Sequence, residues 1–157
     1  MNKKNFLIIG LILLIGLAFR LYHIEFGLPH SFYADEPEIS ELAIRYTYEF
    51  RDVVRNNNYY KLFPISFVYG TFPAYFFTLA NMAFSKTLNT FGISFGKFEL
   101  FVFLRVVNAV VSFFIVVAAG LLTKKVFKEK FVVLLALLLA ALNWKFIVHA
   151  HYVNADI

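Results

Sequence analysis

The sequence predicts an all-α protein that crosses a membrane several times. Three observations lead there. The 157 residues are 61% hydrophobic and mean hydropathy is +0.70, whereas a soluble domain is about half apolar. The excess falls in long runs, near 6–22, 100–123 and 131–149, with Lys or Arg beside them, which is the pattern of membrane spans. Between the first two runs, apolar residues recur at helical rather than strand spacing. The predicted architecture is three transmembrane helices plus two interfacial helices in an external loop over 24–98.

Lys3 and Lys4 precede the apolar run that begins at Phe6, and Arg20 and Tyr22 close it. A signal peptide has the same basic start, but no small-x-small cleavage site follows, so this is read as an uncleaved first span. Its flanking charges put the N-terminus in the cytoplasm and His23 onward outside. Within 37–53, Pro37 suits the start of a helix, where its missing N–H costs nothing. Ile39, Leu42, Tyr46, Phe50 and Val53 then form one apolar stripe, and Glu41, Arg45 and Glu49 stand four apart on the surface. Such a helix is expected flat on the membrane interface, ending at Asn56-Asn57-Asn58.

Residues 65–86 are apolar but interrupted by Gly70, Pro73 and Asn81. Lys124, Lys125, Lys128 and Lys130 separate the last two runs. If 65–86 crossed the membrane, that basic cluster would fall outside, against the positive-inside rule. A re-entrant or interfacial helix over 65–86 removes the conflict. It also sets Asp35, Glu36, Arg105 and Asp156 on one external side. The closing segment His149-Ala-His-Tyr-Val-Asn-Ala-Asp-Ile reads as a polar loop entered and then cut, so the N-terminal part of a longer protein is expected.

Several function classes drop out on composition. The absence of Cys excludes disulfides and thiolate metal sites. The net charge of +5 comes from residues flanking apolar runs and makes no basic face, so nucleic acid is not an expected partner. His149, His151 and Asp156 invite a metal reading, but His-x-His with one Asp is thin, and no metal site is expected.

Four stretches together resemble the GT-C superfamily of polyprenyl-phosphate-dependent glycosyltransferases, in its protein O-mannosyltransferase and aminoarabinose transferase branch. Tyr33-Ala-Asp-Glu-Pro-Glu is similar to that branch's Asp-Glu motif in the first external loop. Thr71-Phe-Pro-Ala-Tyr-Phe resembles its Pro-Pro-Leu-x-Tyr segment, without the doubled proline. Glu99-Leu-Phe-Val-Phe-Leu-Arg-Val-Val-Asn-Ala-Val resembles its Arg-Leu-x-Ser-Ala-Leu span, with Asn108 where Ser is frequent. His149-Ala-His-Tyr-Val-Asn-Ala-Asp resembles its Ser-x-x-Ala-x-x-Asp. Order and spacing match over nearly the whole chain. The branch has many more spans, so the chain by itself is expected to be inactive.

The resemblance implies transfer of a sugar from a polyprenyl-phosphate donor to a protein, lipid or glycan acceptor on the external face of the cell membrane. Asp35 would be the general base on the acceptor hydroxyl, with Glu36 as a second catalytic candidate. Both carboxylates also fit a helix cap ahead of Pro37, and for Glu36 that reading stands level with the catalytic one. Arg105 would contact the donor phosphate, for which a guanidinium suits, or would snorkel to the interface. Arg45, Lys61 and Tyr75 are further substrate-binding candidates; Lys61, like Arg55, reads more strongly as an ordinary interfacial residue. Asp156 would help hold acceptor, donor phosphate or metal, or be a solvated loop residue. Divalent-cation dependence occurs in parts of the superfamily only, so no definite cofactor is implied. Trp144 and Tyr152 fit an aromatic belt, and Asn81 and Asn108 are expected to hydrogen-bond between helices. The competing reading is a non-catalytic membrane protein or transporter fragment whose acidic pair caps a helix.

Overall fold

The computed structural model describes residues 3–28, 30, 33, 35–63 and 71–153. Among these, every regular element is helical: α1 (Lys3–Leu21), α2 (Glu36–Arg55), α3 (Phe72–Thr90), α4 (Lys97–Val126), α5 (Lys130–Leu142) and α6 (Trp144–Ala150), with a short 3-10 turn at Tyr59–Leu62. The described residues divide into two compact units. One takes the chain up to Ile24 together with Asn108–His151. The other takes Glu25–Val107 with Tyr152 and Val153.

In the first unit, α1 is apolar all round and most of it is exposed: Phe6, Leu7, Leu11 and Leu14 are each more than half accessible. Its buried positions, Ile12, Gly16 and Arg20, form one stripe at four-residue spacing. Gly16 lets α5 approach, since a Cβ there would lie 3.1 Å from that of Ala141. Asn108, Ser112, Val116 and Gly120 make the matching buried stripe of α4. A Cβ on Gly120 would drive into the side chain of Leu137. Small residues at these crossings are what close helix packing without a large apolar driving force demands. Ile12, Val116, Leu137 and Ala141 form the core.

The expected span at 131–149 is broken. α5 ends at Leu142, Asn143 adopts φ −61° and ψ 111°, and α6 starts at Trp144, bent by 47° from α5. Asn143 accepts from the backbone N–H groups of Lys145 and Phe146 through its side chain, so it is the N-cap of α6.

In the second unit, α2 packs on α3 and on the start of α4. Ile39, Ala43 and Ile44 of α2 meet Phe77 of α3, Leu100, Phe101 and Leu104 of α4, and Val153. Phe84 stacks on Phe103 with ring centroids 4.0 Å apart. Of the apolar stripe of α2, expected to lie on the membrane interface, Ile39, Tyr46 and Val53 are at most 3% exposed, and Leu42 and Phe50 are half-buried. α3 begins at Phe72 and runs to Thr90. It starts later and ends later than the helix expected over 65–86, and residues 65–70 of that expectation lie outside the described residues.

One described helix, α4, is long and apolar enough to cross a membrane. Its 30 residues make about 45 Å, against a hydrocarbon core of about 30 Å. α5 and α6 reach that standard only as a bent pair, and the apolar part of α1 is shorter.

Candidate functional site

The acidic pair heads α2. Asp35 is the N-cap residue with φ −85° and ψ −23°, and its side chain makes no capping hydrogen bond. Its backbone carbonyl accepts from the N–H of Ile39 at 3.4 Å, and the residue is half-buried. Glu36, the first helical residue, is fully buried. A carboxylate there is tolerable only with charge and hydrogen bonds around it. Arg105 supplies both. Its Nε donates to Glu36 Oε1 and its Nη2 to Oε2, each at 2.7 Å, the bidentate fork that matches the two planar groups. The side chains are 1% and 0% exposed. Arg105 Nη1 donates to the carbonyl of Phe26 at 2.7 Å, and the N–H of Val153 donates to Glu36 Oε1 at 3.2 Å.

Two aromatic rings complete the cluster. The Arg105 guanidinium carbon stands 5.3 Å from the centroid of Tyr152, a cation–π distance. Tyr152 stacks on Tyr33 at 5.5 Å with planes 14° apart. Three stretches far apart in sequence thus meet around Glu36: Tyr33–Glu36, Arg105, and Tyr152–Val153.

This geometry revises several expectations. Arg105, set against a donor phosphate or the interface by its sequence, is set against Glu36 by the fold. The cap reading of the acidic pair holds for position, with Asp35 at the N-cap and Glu36 in the first turn, although the Asp35 side chain makes no capping hydrogen bond. Tyr152, expected in an aromatic belt, stands in the cluster, while Trp144 is 71% exposed. Glu41 pairs with Lys97 at 3.0 Å rather than with Arg45.

Arg45 and Tyr75 lie in a different group. Arg45 is nine residues beyond Glu36, which on an α-helix is about 13.5 Å along the axis and on the opposite face. Its guanidinium stands 5.2 Å from the ring centroid of Tyr46. Tyr46 stacks on Tyr75 at 6.0 Å, and the Tyr75 hydroxyl donates to the carbonyl of Leu62 at 2.9 Å. That bond ties α3 to the turn that carries Lys61, itself exposed. Burial pushes the Tyr46 phenol above the usual tyrosine range, and Arg45 pulls it the other way. Asp156 lies outside the described residues.

No group of three or more His, Asp or Glu suited to a metal ion occurs among the described residues. The two His151 ring nitrogens stand 2.7 Å from the carbonyls of Ile147 and Tyr22. Asn108 donates to the carbonyl of His149 at 3.1 Å, as expected of it. Asn81 departs from the same expectation: it is fully buried and neither end of its amide is hydrogen-bonded.

Two features were missed from sequence. Arg20, read as a flank of the first span, is fully buried. It donates to Ser112 Oγ at 3.1 Å and to the carbonyls of Gly16, Ala141 and Ala140 at 2.8, 3.0 and 3.3 Å. The second is a cavity of about 1060 Å³ lined by the later halves of α2 and α3, with Arg51, Asp52, Ser85 and Lys86 among its walls. None of the sequence-derived candidates lines it. Only its mixed charge could have signalled it, and surface helix faces share that trait.

Comparison with protein-family models, with curated proteins and with solved structures gives no match.

Proposed function

We propose that the chain is the N-terminal part of a multi-span glycosyltransferase acting on a polyprenyl-phosphate sugar at the external face of the cell membrane. In this reading α1, α4 and the bent α5–α6 pair cross the membrane, with the N-terminus in the cytoplasm. The site lies beside Asp35. Asp35 takes the proton from an acceptor hydroxyl on a protein, lipid or glycan. The acceptor oxygen forms a bond to the anomeric carbon, and the anomeric C–O bond to phosphate breaks, its electron pair leaving with the polyprenyl phosphate. Glu36 and Arg105 act as positioning residues that fix the first turn of α2 and hence the Asp35 backbone. Asp156, three residues beyond Val153, is the second acid proposed for the site.

One observation supports this reading above the rest: the described residues of the Asp-Glu, arginine-span and closing stretches converge on Glu36, although 69 residues separate Glu36 from Arg105 and 117 separate it from Val153. A chain in which the acidic pair merely capped a helix has no need of that convergence. The opposing observation is that Glu36 is wholly engaged in an ion pair, which favours a non-catalytic membrane protein as the second reading.

The two are separated in membranes carrying the chain, supplied with radiolabelled and photoreactive polyprenyl-phosphate sugars. The proposal expects cross-linking of the donor and, where label is transferred, a loss of about 10²–10⁴-fold in Asp35→Asn with cross-linking intact. Undiminished transfer in Asp35→Asn refutes the assignment of the base. Neither cross-linking nor transfer in the wild-type chain favours the non-catalytic reading.

A further inference from the structure

The first unit holds a cavity of about 480 Å³ lined by α1, α4, α5 and the α4–α5 connection, within the range that small-ligand sites occupy. Its lining is graded. Lys124, Lys128 and Lys130 contribute at one end, with Asn5 of α1; the three lysines are exposed. The apolar lining lies further along each helix. Leu13 is two turns beyond Asn5, Val117 is two turns before Lys124, and Leu137 is two turns beyond Lys130, so the apolar lining reaches about 10–12 Å along each helix. Lys125, on the same turn of α4 as Lys124, is not part of the lining.

We propose that this cavity binds one anionic phospholipid, its phosphate on Lys124, Lys128 and Lys130 and an acyl chain along Ile9, Val117 and Leu134. The inference rests on the reading of α1, α4 and α5 as membrane-embedded, and not on glycosyl transfer. Positive flanks alone follow from the positive-inside rule and need no cavity. A basic end that runs into an apolar cleft between helices is the complement of a charged headgroup joined to a hydrocarbon tail. A soluble anion would leave the apolar part unfilled, and a zwitterionic lipid would leave the three positive charges unmatched. Glu129 is the one acid in the connection and leaves the local balance positive.

The experiment is native mass spectrometry of the whole chain in detergent, with dioleoylphosphatidylglycerol or dioleoylphosphatidylcholine added at equal concentration. The anionic lipid is expected to stay bound and the zwitterionic one to dissociate. Each lysine near an anionic headgroup contributes about fivefold in affinity. Lys124→Gln/Lys128→Gln/Lys130→Gln should therefore lose about a hundredfold, with Lys125→Gln close to wild type. Leu134→Trp, which keeps every lysine and sets a bulky ring across the apolar part of the cavity, should also weaken lipid binding, and circular dichroism checks that both variants remain helical. Retention of phosphatidylglycerol by Leu134→Trp would show attraction to surface charge alone and overturn the proposal. Equal retention of the two lipids, an equal loss in Lys125→Gln, or displacement by inorganic phosphate at comparable concentration would overturn it as well. Glycosyl-transfer assays play no part in these outcomes, so either proposal can fail while the other stands.

Discussion

Removing Arg105 tests the second unit at its most charged point. In Arg105→Met the two bonds to Glu36 and the bond to the Phe26 carbonyl disappear. Glu36 keeps the Val153 N–H at 3.2 Å as a donor. A buried carboxylate stripped of its cation costs about 3–5 kcal/mol. For a chain of this length that lowers the melting temperature by on the order of 10 °C, at about 2–4 °C per kcal/mol. Glu36→Gln should cost a comparable amount, because it leaves a buried guanidinium uncompensated. The double variant should cost clearly less than the two singles together, with a coupling of about 1–3 kcal/mol, since neither charge is then left alone. Part of the cost remains, because the bond from Arg105 to the Phe26 carbonyl is lost as well. The assay is equilibrium unfolding of the purified chain and its three variants in one detergent at neutral pH. Single losses under about 1 kcal/mol are what exposed pairs give. Such values, or strict additivity in the double variant, would refute the argument that this is a desolvated pair.

Arg20→Lys keeps the positive charge but cannot span Ser112 and three carbonyls at once. Loss of two of its charged hydrogen bonds should cost roughly 3 kcal/mol in the same unfolding assay, and a cost near zero would show that charge alone is required there. Tyr46 gives a pH prediction. Its folded pKa is raised, so the unfolded chain ionises first, near the ordinary tyrosine value of about 10. Its contribution to stability is complete below that pH and declines as pH rises through the folded pKa. Tyr46→Phe should flatten the fall in stability above about pH 10, and an unchanged alkaline limb would show that other groups set it.

The helices were legible wherever one period dominated. The apolar runs predicted α1, α4 and the combined reach of α5 and α6, and the stripe at Ile39, Leu42, Tyr46, Phe50 and Val53 predicted α2. What covers that stripe was not legible, because periodicity marks a face and not its partner: α2 turns it to α3 and α4 rather than to lipid. The candidate site was half legible. Glu36 and Arg105 each stood out as charges in apolar surroundings, yet each has a sufficient local explanation, one as a cap and one as a snorkelling residue. Their pairing depends on chain topology over 69 residues, which no local pattern encodes. Asn81 shows the reverse failure. A polar residue in an apolar helix suggested an interhelical bond, and the fold leaves its amide unbonded.

Arg20 and the break at Asn143 explain each other. In an unbroken helix the carbonyls of Ala140 and Ala141 would accept from the N–H groups of residues 144 and 145. At the break, the N–H of Lys145 is held by the Asn143 side chain instead. That leaves the two carbonyls at the end of α5 needing donors in an apolar unit, where an unmatched group is costly. Arg20 reaches both, and also Gly16 and Ser112. Ser112 Oγ in turn donates to the carbonyl of Phe146. Two of its acceptors, the Ala140 and Ala141 carbonyls, stand at the negative end of the α5 dipole, which favours a cation. Gly16 is the other half of the arrangement: without a side chain of its own it brings α1 against Ala141, one turn before Arg20. Neither an asparagine within an apolar run nor an arginine at the end of another predicts this alone. Taken together, they supply the donors and acceptors that a bent helix requires wherever water cannot supply them.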